Sequence, residues 1–124
     1  MNEEQVLSVL NPEMRKMLAD RYDAAVPGMA DCVVDWAYGK HYGREEVDLK
    51  TRQLCSIAAL TAMGGHTAPQ LRVNIENTLN AGARPVEIVE IIWQMAVYAG
   101  VPACLNGLET AIELFEEKGI DPRS

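Results

Sequence analysis

The sequence predicts an all-helical fold, and three observations support this prediction. Apolar residues recur three and four positions apart through most of the 124-residue chain. The alternation of polar and apolar residues that is typical of strands is missing. Proline and glycine stand where helices start and stop, and no linker or repeat divides the chain. We therefore predict a single all-α domain, residues 1–124, with about six helices and short connections.

Three helical segments are predicted in the first third of the chain. Residues 3–10 form a short turn or helix, and Asn11-Pro12 is typical of the start of the next helix. Val26-Pro27-Gly28 interrupts that helix, and the glycine-bracketed segment Gly39–Gly43 is predicted to be an irregular corner. Between these interruptions, one face that we expect to be buried carries four apolar residues: Met29, Val33, Trp36 and Ala37.

The next boundaries are marked by capping residues, glycine and proline. Asp48 can cap the third helix, and Gly64-Gly65 ends it. The fourth helix runs from about Thr67 to Ala81, with apolar residues four apart. Pro85 is typical of the first turn of a fifth helix, although Arg84 before it is a poor capping residue.

The fifth helix is unusually apolar. From Val86 to Ala99 its polar side chains form one narrow stripe: Glu87, Glu90 and Gln94. Gly100 and Pro102 mark a tight corner, after which a sixth helix is predicted to direct four side chains inward: Leu105, Leu108, Ile112 and Phe115. In a chain this small, a helix that requires burial on nearly every side predicts association between copies of the chain.

Composition argues against several classes of function. The net charge of −7 argues against nucleic acid as the main partner, because phosphate binding needs clustered Lys and Arg. The N-terminus is acidic where a secretory signal would be basic, and no apolar run is long enough to span a bilayer. Three cysteines without a CxxC pair are typical of a reducing compartment. We expect a cytoplasmic protein with no nucleic-acid or membrane partner.

No general catalytic motif is present. The sequence has no phosphate-binding glycine loop, no HExxH and no nucleophile elbow. Two histidines far apart in the sequence cannot by themselves build a zinc site, so we expect neither a metal nor a cofactor.

The two histidines are the candidate acid–base residues. His66 is predicted at the start of the fourth helix, either as a structural residue that hydrogen-bonds a free backbone group or as a general acid or base. His41 lies beside Lys40 in the predicted corner. It is either a surface loop residue or, if both side chains face a pocket, a base whose pKa the lysine lowers. The structural interpretation is the simpler one in both cases.

Arg52 is the candidate anchor for a substrate carboxylate, and its simpler interpretation is a salt bridge to a nearby acid: Glu45, Glu46 or Asp48. Cys55 and Cys104 are predicted to be small core residues, whereas Cys32 has no basic neighbour to activate it. Four large side chains are also predicted to fill the core: Trp36, Met63, Trp93 and Met95.

Two stretches carry a resemblance to a known family. The first is NAGARPVEIVEIIWQMAVYAGVPACLNGL, with Asn106 after its AVYAGVPA core, and the second is WAYGKHYGREEVDLKTRQLCSIAALTAM. Both resemble the carboxymuconolactone decarboxylase family, whose larger group includes alkylhydroperoxidase D-like proteins. The resemblance implies an alkylhydroperoxidase D-like fold around an antiparallel helical hairpin, assembled as homotrimers or homohexamers.

The resemblance also implies one of two activities. Alkylhydroperoxidase D-like members use a CxxC and a histidine for thiol peroxide chemistry, whereas decarboxylase members lack the CxxC and act on a lactone acid. In this sequence the two cysteine positions fall on Thr67 and Gln70, and the histidine position of the fourth helix falls on Asn74. The acidic position of the decarboxylases falls on Lys40. The CxxC mechanism is therefore excluded at that site.

The leading hypothesis is a cofactor-free decarboxylase, a lyase, acting on a small carboxylated metabolite. The candidates are Lys40 and Arg52 for holding the carboxylate, His66 or His41 for moving the proton, and Asn74 and Gln70 for further substrate contacts. A lactone or β-keto group in the substrate would take up the developing negative charge. The alternatives are a non-catalytic oligomeric binding or scaffold protein of the same fold and, less favoured, a thiol peroxidase that uses Cys32, Cys55 or Cys104.

Overall fold

The computed structural model describes all residues from Met1 to Ser124, and every regular element is a helix. The predicted all-α class is confirmed. The chain forms two compact units, Met1–Leu49 and Lys50–Ser124, and the single domain stays a prediction. None of the helices combines the length and the apolar character needed to cross a bilayer.

The helices follow one another with short connections. The first are α1 (Glu3–Leu10), α2 (Met14–Tyr22) and α3 (Met29–Val33), which continues as a π-helix, Val34–His41. They are followed by α4 (Leu49–Met63), a 3₁₀ turn (Gly65–Thr67), α5 (Ala68–Asn80), α6 (Pro85–Ala99) and α7 (Val101–Lys118).

In the first unit, the start of α2 differs from the prediction. Asn11 does not begin the helix, because its side-chain oxygen accepts a hydrogen bond from the Glu13 N–H at 3.0 Å and closes a preceding turn. The predicted helix over residues 3–10 is confirmed as α1, with Asn2 as its cap. Six apolar residues of this unit are buried: Val6, Leu7, Leu10, Met14, Ala30 and Val34.

The predicted corner at Gly39–Gly43 is wrong for Lys40 and His41, which lie in the π-helix. Tyr42 continues the wide turn, since its N–H donates to the Ala37 carbonyl, five residues back, at 2.9 Å. The wide turn also explains Trp36, whose predicted burial assumed 3.6 residues per turn. Trp36 is 61% exposed, so this prediction is wrong as well.

The apolar core of the second unit draws on α4, α5, α6 and α7. Its buried members are Ile57, Leu71, Ile75, Ala83, Ile88, Val89, Ile92, Cys104, Ala111, Leu114 and Phe115. The buried residues of α4 are four apart and share one face, and two of them are polar: Gln53, Ile57 and Thr61. Because that stripe faces inward, Cys55 lies exposed on another side of α4, contrary to prediction.

The helices α6 and α7 form the expected hairpin around Gly100, whose φ of 94° is a left-handed value that favours glycine. Two turns into α7, a Cβ on Gly107 would lie only 3.0 Å from Ile92 Cγ2 and 2.8 Å from Thr61 Cγ2. At Gly107, therefore, α7 approaches both α6 and α4 too closely for any larger residue.

This close approach sets the buried face of α7. The residues that it buries are Cys104, Gly107, Ala111, Leu114 and Phe115. The burial of Phe115 and Cys104 is confirmed, whereas Leu105 and Ile112, predicted to face inward, are exposed. The spacing of apolar residues in the sequence predicted that Leu105 and Leu108 face inward. Because α7 lies close to α4 and α6, it instead buries the stripe that contains the small residues Cys104, Gly107 and Ala111.

Arg84 is a poor capping residue, as predicted, because its side chain makes no capping hydrogen bond. The Glu87 carboxylate instead accepts a hydrogen bond from the Arg84 N–H at 2.9 Å at the start of α6. Met63 and Trp93, expected in the core, are exposed. Both are large side chains on faces that this chain leaves open to solvent.

Candidate functional site

The turn between α4 and α5 is the best-defined polar site of the second unit. Gly64 adopts a φ of 102°, which lets the chain reverse directly after α4. The Thr67 hydroxyl points back to α4, with the Leu60 carbonyl oxygen at 2.6 Å and the Gly64 carbonyl oxygen at 3.0 Å. This hydroxyl satisfies carbonyl groups at the helix end, so the turn is fixed to α4 and α5 has no side-chain cap.

A small cavity of about 10 Å³ opens beside this turn. Its walls come from the end of α4, the turn, the start of α5 and one face of α7: Thr61, Gly64, Gly65, Thr67, Ala68, Leu71, Ala103, Asn106, Gly107 and Thr110. A volume of this size holds one water molecule or one oxygen-sized atom of a ligand.

Four polar side chains line the cavity, and they divide into two pairs. Thr67 and Thr110 are committed to backbone groups, since the Thr110 hydroxyl donates to the Asn106 carbonyl at 3.1 Å. The Thr61 hydroxyl is buried and has no hydrogen-bond partner. Asn106 is exposed on α7, and its side-chain amide packs against Gly65 at the cavity. The second pair is therefore available to a ligand.

Glycine at position 65 brings Asn106 onto the turn. A Cβ at Gly65 would lie 2.9 Å from Asn106 Nδ2 and 3.2 Å from its Cγ, so the amide packs directly against this glycine. Gly107 is in similarly close contact with Thr61, so α7 packs against both the turn and the end of α4.

His66 is the neighbour in sequence of two residues that line the cavity, Gly65 and Thr67, but does not line it itself. It belongs to the 3₁₀ turn in front of α5 and is exposed to solvent. Its Nδ1 is 3.7 Å from the place that a Cβ on Gly64 would occupy, and Gly64 is one of the lining residues. An exposed imidazole can exchange protons with solvent.

The other candidates of the second unit do not line the cavity. Asn74 and Gln70 lie on α5, where the Asn74 amide donates to the Gln70 carbonyl at 2.8 Å. Gln70 is exposed and Asn74 half-buried. Arg52 is half-buried near the start of α4, and its carbonyl accepts a hydrogen bond from the Ser56 hydroxyl at 3.1 Å. Their roles in substrate binding stay predictions.

Lys40 and His41 belong to the first unit. Both are exposed at the end of the π-helix. The edge of one ring meets the face of the other between Trp36 and His41, with ring centres 4.6 Å apart and planes at 86°. The role of these two residues in catalysis also stays a prediction.

The cysteines do not form a local dithiol. All three are free, with Cys32 and Cys55 exposed and Cys104 buried in the core of the second unit. Burial raises the pKa of the Cys104 thiol above its ordinary value, which disfavours the reactive thiolate. No three His, Cys, Asp or Glu side chains come close enough together to hold a metal ion.

Comparison with known proteins identifies the family. Residues 27–113 match the model of the carboxymuconolactone decarboxylase family, which is most of the chain. The chain belongs to this family. It is 33% identical over 87 residues to a 4-carboxymuconolactone decarboxylase from Acinetobacter baylyi, an alignment that takes in 70% of this chain and 63% of that protein.

Two other proteins are similar to this family member over most of its length. An uncharacterized 15.0 kDa protein from the nqo9-nqo10 intergenic region of Paracoccus denitrificans is 33% identical over 93% of this chain and 86% of its own length. A nitrosuccinic acid decarboxylase, npaB, from Metarhizium robertsii is 28% identical over 66% of this chain and 55% of its own length. The chain thus spans less than two thirds of each decarboxylase, 63% of the first and 55% of the second.

The family member's cavity contains residues that the sequence did not single out. Thr67, at one of the family's cysteine positions, lines the cavity, but Thr61 and Asn106 were not among the candidates. Asn106 stood in the recognised motif, which was the available signal. Thr61 had no signal, because its importance comes from a close approach between helices that are distant in sequence.

Proposed function

We propose that this protein is a decarboxylase, a lyase that acts on a small carboxylated metabolite without a cofactor. Family membership supports the proposal, as do two relatives that are named as decarboxylases of carboxylic acids. The observation that carries it is the exposed His66 in the same turn as Gly65 and Thr67, which line a cavity together with the unpartnered hydroxyl of Thr61.

The proposed chemistry needs only groups of the substrate and a proton donor. The bond between the carboxylate and the adjacent carbon breaks, carbon dioxide leaves, and the electron pair moves into an electron-withdrawing group of the substrate. The carbon then takes a proton. His66, which is open to solvent, donates this proton and is reprotonated from bulk water. Arg52 remains the candidate in the second unit for holding the carboxylate before it is lost.

The test is carbon dioxide release from a panel of acids: 4-carboxymuconolactone, nitrosuccinate and acetoacetate. We expect His66→Ala to lower kcat on the accepted acid by about 100-fold or more, the usual contribution of general acid catalysis. His41→Ala is the matched control, and added imidazole should restore part of the activity of the His66 variant. Full turnover by His66→Ala would overturn the assignment.

The panel also tests the second candidate function, a non-catalytic oligomeric protein of the same fold. The small size of the cavity favours this candidate, since about 10 Å³ cannot enclose a whole metabolite. If none of the acids releases carbon dioxide and none raises the Tm, this second function replaces the first.

We also propose that the protein is a homo-oligomer, a trimer or hexamer, in the cytoplasm. The outer face of the hairpin, defined by Trp93, Val97, Tyr98, Val101 and Leu105, is apolar and largely exposed, with Tyr98 at 82%. A second copy of the chain would cover this outer face, as in the assembly that the family resemblance implies. Three free cysteines support a reducing compartment.

A further inference from the structure

The cavity beside His66 has two polar groups that proton transfer does not use. Thr61 is 2% exposed, and its hydroxyl has no hydrogen-bond partner. A buried hydroxyl without a partner costs free energy, so such a group in a folded protein calls for an explanation. Thr67 and Thr110 line the same cavity but already donate to backbone carbonyls, so they cannot explain it.

The size and charge of the cavity restrict what could bind. Its volume of about 10 Å³ accepts one oxygen-sized atom. The lining contains no lysine, arginine or histidine, so a carboxylate would lose its hydration without gaining a cation. A neutral oxygen that accepts hydrogen bonds, such as a carbonyl or nitro oxygen, fits better because it requires only donors.

We propose that this cavity binds the oxygen of the substrate's electron-withdrawing group, with the Thr61 hydroxyl and the Asn106 amide as its hydrogen-bond donors. This inference rests on the proposed decarboxylase function and deepens it by naming the substrate class. The substrate would be an acid with a carbonyl or nitro group next to the carbon that carries the carboxylate.

The donors matter most after the bond has broken. When carbon dioxide leaves, the electron pair moves from the carbon to this oxygen, which becomes an enolate or nitronate oxygen. Hydrogen bonds to the oxygen then strengthen because their acceptor is charged. Thr67 and Ala68, at the uncapped start of α5, also line the cavity, and the positive end of the α5 dipole favours the same charge.

The glycines hold the two donors in place. Gly65 leaves room for the Asn106 amide against the turn, and Gly107 leaves room for Thr61 against α7. A Cβ at Gly65 would lie 2.9 Å from Asn106 Nδ2, so the amide would have to move from its present position. Gly65→Ala should therefore act on the site in the same way as removal of the amide.

The test is binding of a stable anion that resembles the product before protonation. The probe is the freshly prepared nitronate of 3-nitropropionate, whose negative charge lies on oxygen, titrated calorimetrically into the full-length protein. We expect Thr61→Val and Asn106→Ala each to raise its Kd about tenfold or more, as for loss of a hydrogen bond to a charged group. Thr78→Val, which removes a buried hydroxyl that donates to the Asn74 carbonyl outside the cavity, is the matched control and should stay within about twofold.

The outcomes separate this inference from the proposed function. Thr61→Val keeps the shape of the side chain, and an unchanged Tm and circular dichroism spectrum would show that it folds. Nitronate binding that depends on Thr61 and Asn106, without carbon dioxide release from any acid, supports the cavity and refutes the decarboxylase. No nitronate binding, or equal Kd values for wild type, Thr61→Val and Asn106→Ala, would overturn the inference and leave the cavity as a site for a water molecule only.

Discussion

Two regions of the second unit differ in the side chains that they present. The outer face of the hairpin lies within the AVYAGVPA stretch and the residues around it, and it exposes large apolar side chains. The cavity region is small and is lined by polar side chains, among them Thr61 and Thr67. The first surface suits a protein partner such as a second copy of the chain, whereas the second suits a polar atom of a small ligand.

The largest effect is expected from removing the apolar character of the outer face of the hairpin. We expect the double variant Val97→Asp, Leu105→Asp to be monomeric in multi-angle light scattering, because two carboxylates cannot be buried unpaired in an interface. Val26→Asp, at an exposed valine in the loop after α2, is the control and should retain the wild-type mass. A wild-type protein that is itself monomeric would contradict the proposed assembly.

The next largest effect is expected at Gly107, which lines the cavity on α7. Gly107→Ala should lower the free energy of unfolding by about 1–3 kcal/mol, since its Cβ would meet the buried Thr61 and Ile92 side chains. The sign is informative, because alanine is otherwise favoured over glycine within a helix. Urea denaturation measures it, with Glu109→Ala on the exposed side of α7 as control. An equal or higher denaturation midpoint for Gly107→Ala would refute the close approach.

The sequence predicted the boundaries of the helices better than the faces that they bury, and the reason is physical. Helix boundaries at Gly64, Gly100 and Pro85 follow from local backbone preferences, and all three are observed. The position of His66 before α5 follows from the same local signals. The inward face of α7 does not, because the separation of packed helices decides whether Leu105 or Gly107 is buried.

The burial of polar side chains was not predicted, for a related reason. Gln53 and Thr61 lie in the one stripe of α4 that faces inward, and a pattern based on apolar residues assigns that position to their neighbours. The π-helix was not predicted either, because a search for apolar residues with a period of 3.6 does not detect its wider turn. Functional side chains are common where such local rules fail.

A smaller effect tests whether Gln53 has a role in the cavity, as we propose for Thr61. Gln53 is fully buried, and neither atom of its amide has a hydrogen-bond partner, but it does not line the cavity. Gln53→Met keeps the volume and removes the unpaired groups, so we expect stability to rise by about 1 kcal/mol with kcat unchanged. Gln70→Met on the exposed side of α5 is the control, and a clear loss of stability in Gln53→Met would contradict the expectation.

The smallest predicted effect concerns pH. A hydrogen bond from the Arg84 N–H and another from the Lys50 ammonium at 3.0 Å hold the pKa of Glu87 below its ordinary value of 4.5. The stability that Glu87 contributes is therefore present above pH 4.5 and is lost as the pH falls through the lowered pKa.

The corresponding measurement compares wild type with Glu87→Gln in urea. The difference in unfolding free energy should be largest near neutral pH and should shrink below pH 4.5. A difference that grows toward acid pH would have the wrong sign for this interaction.

The central claim is that His66 and the cavity beside it form one catalytic site. A double-mutant cycle on kcat for carbon dioxide release, with His66→Ala and Thr61→Val singly and together, tests it most directly. We predict that each single variant loses about 100-fold and that the double variant loses far less than the product of the two. Wild-type kcat in Thr61→Val, or losses that multiply independently, would contradict the claim.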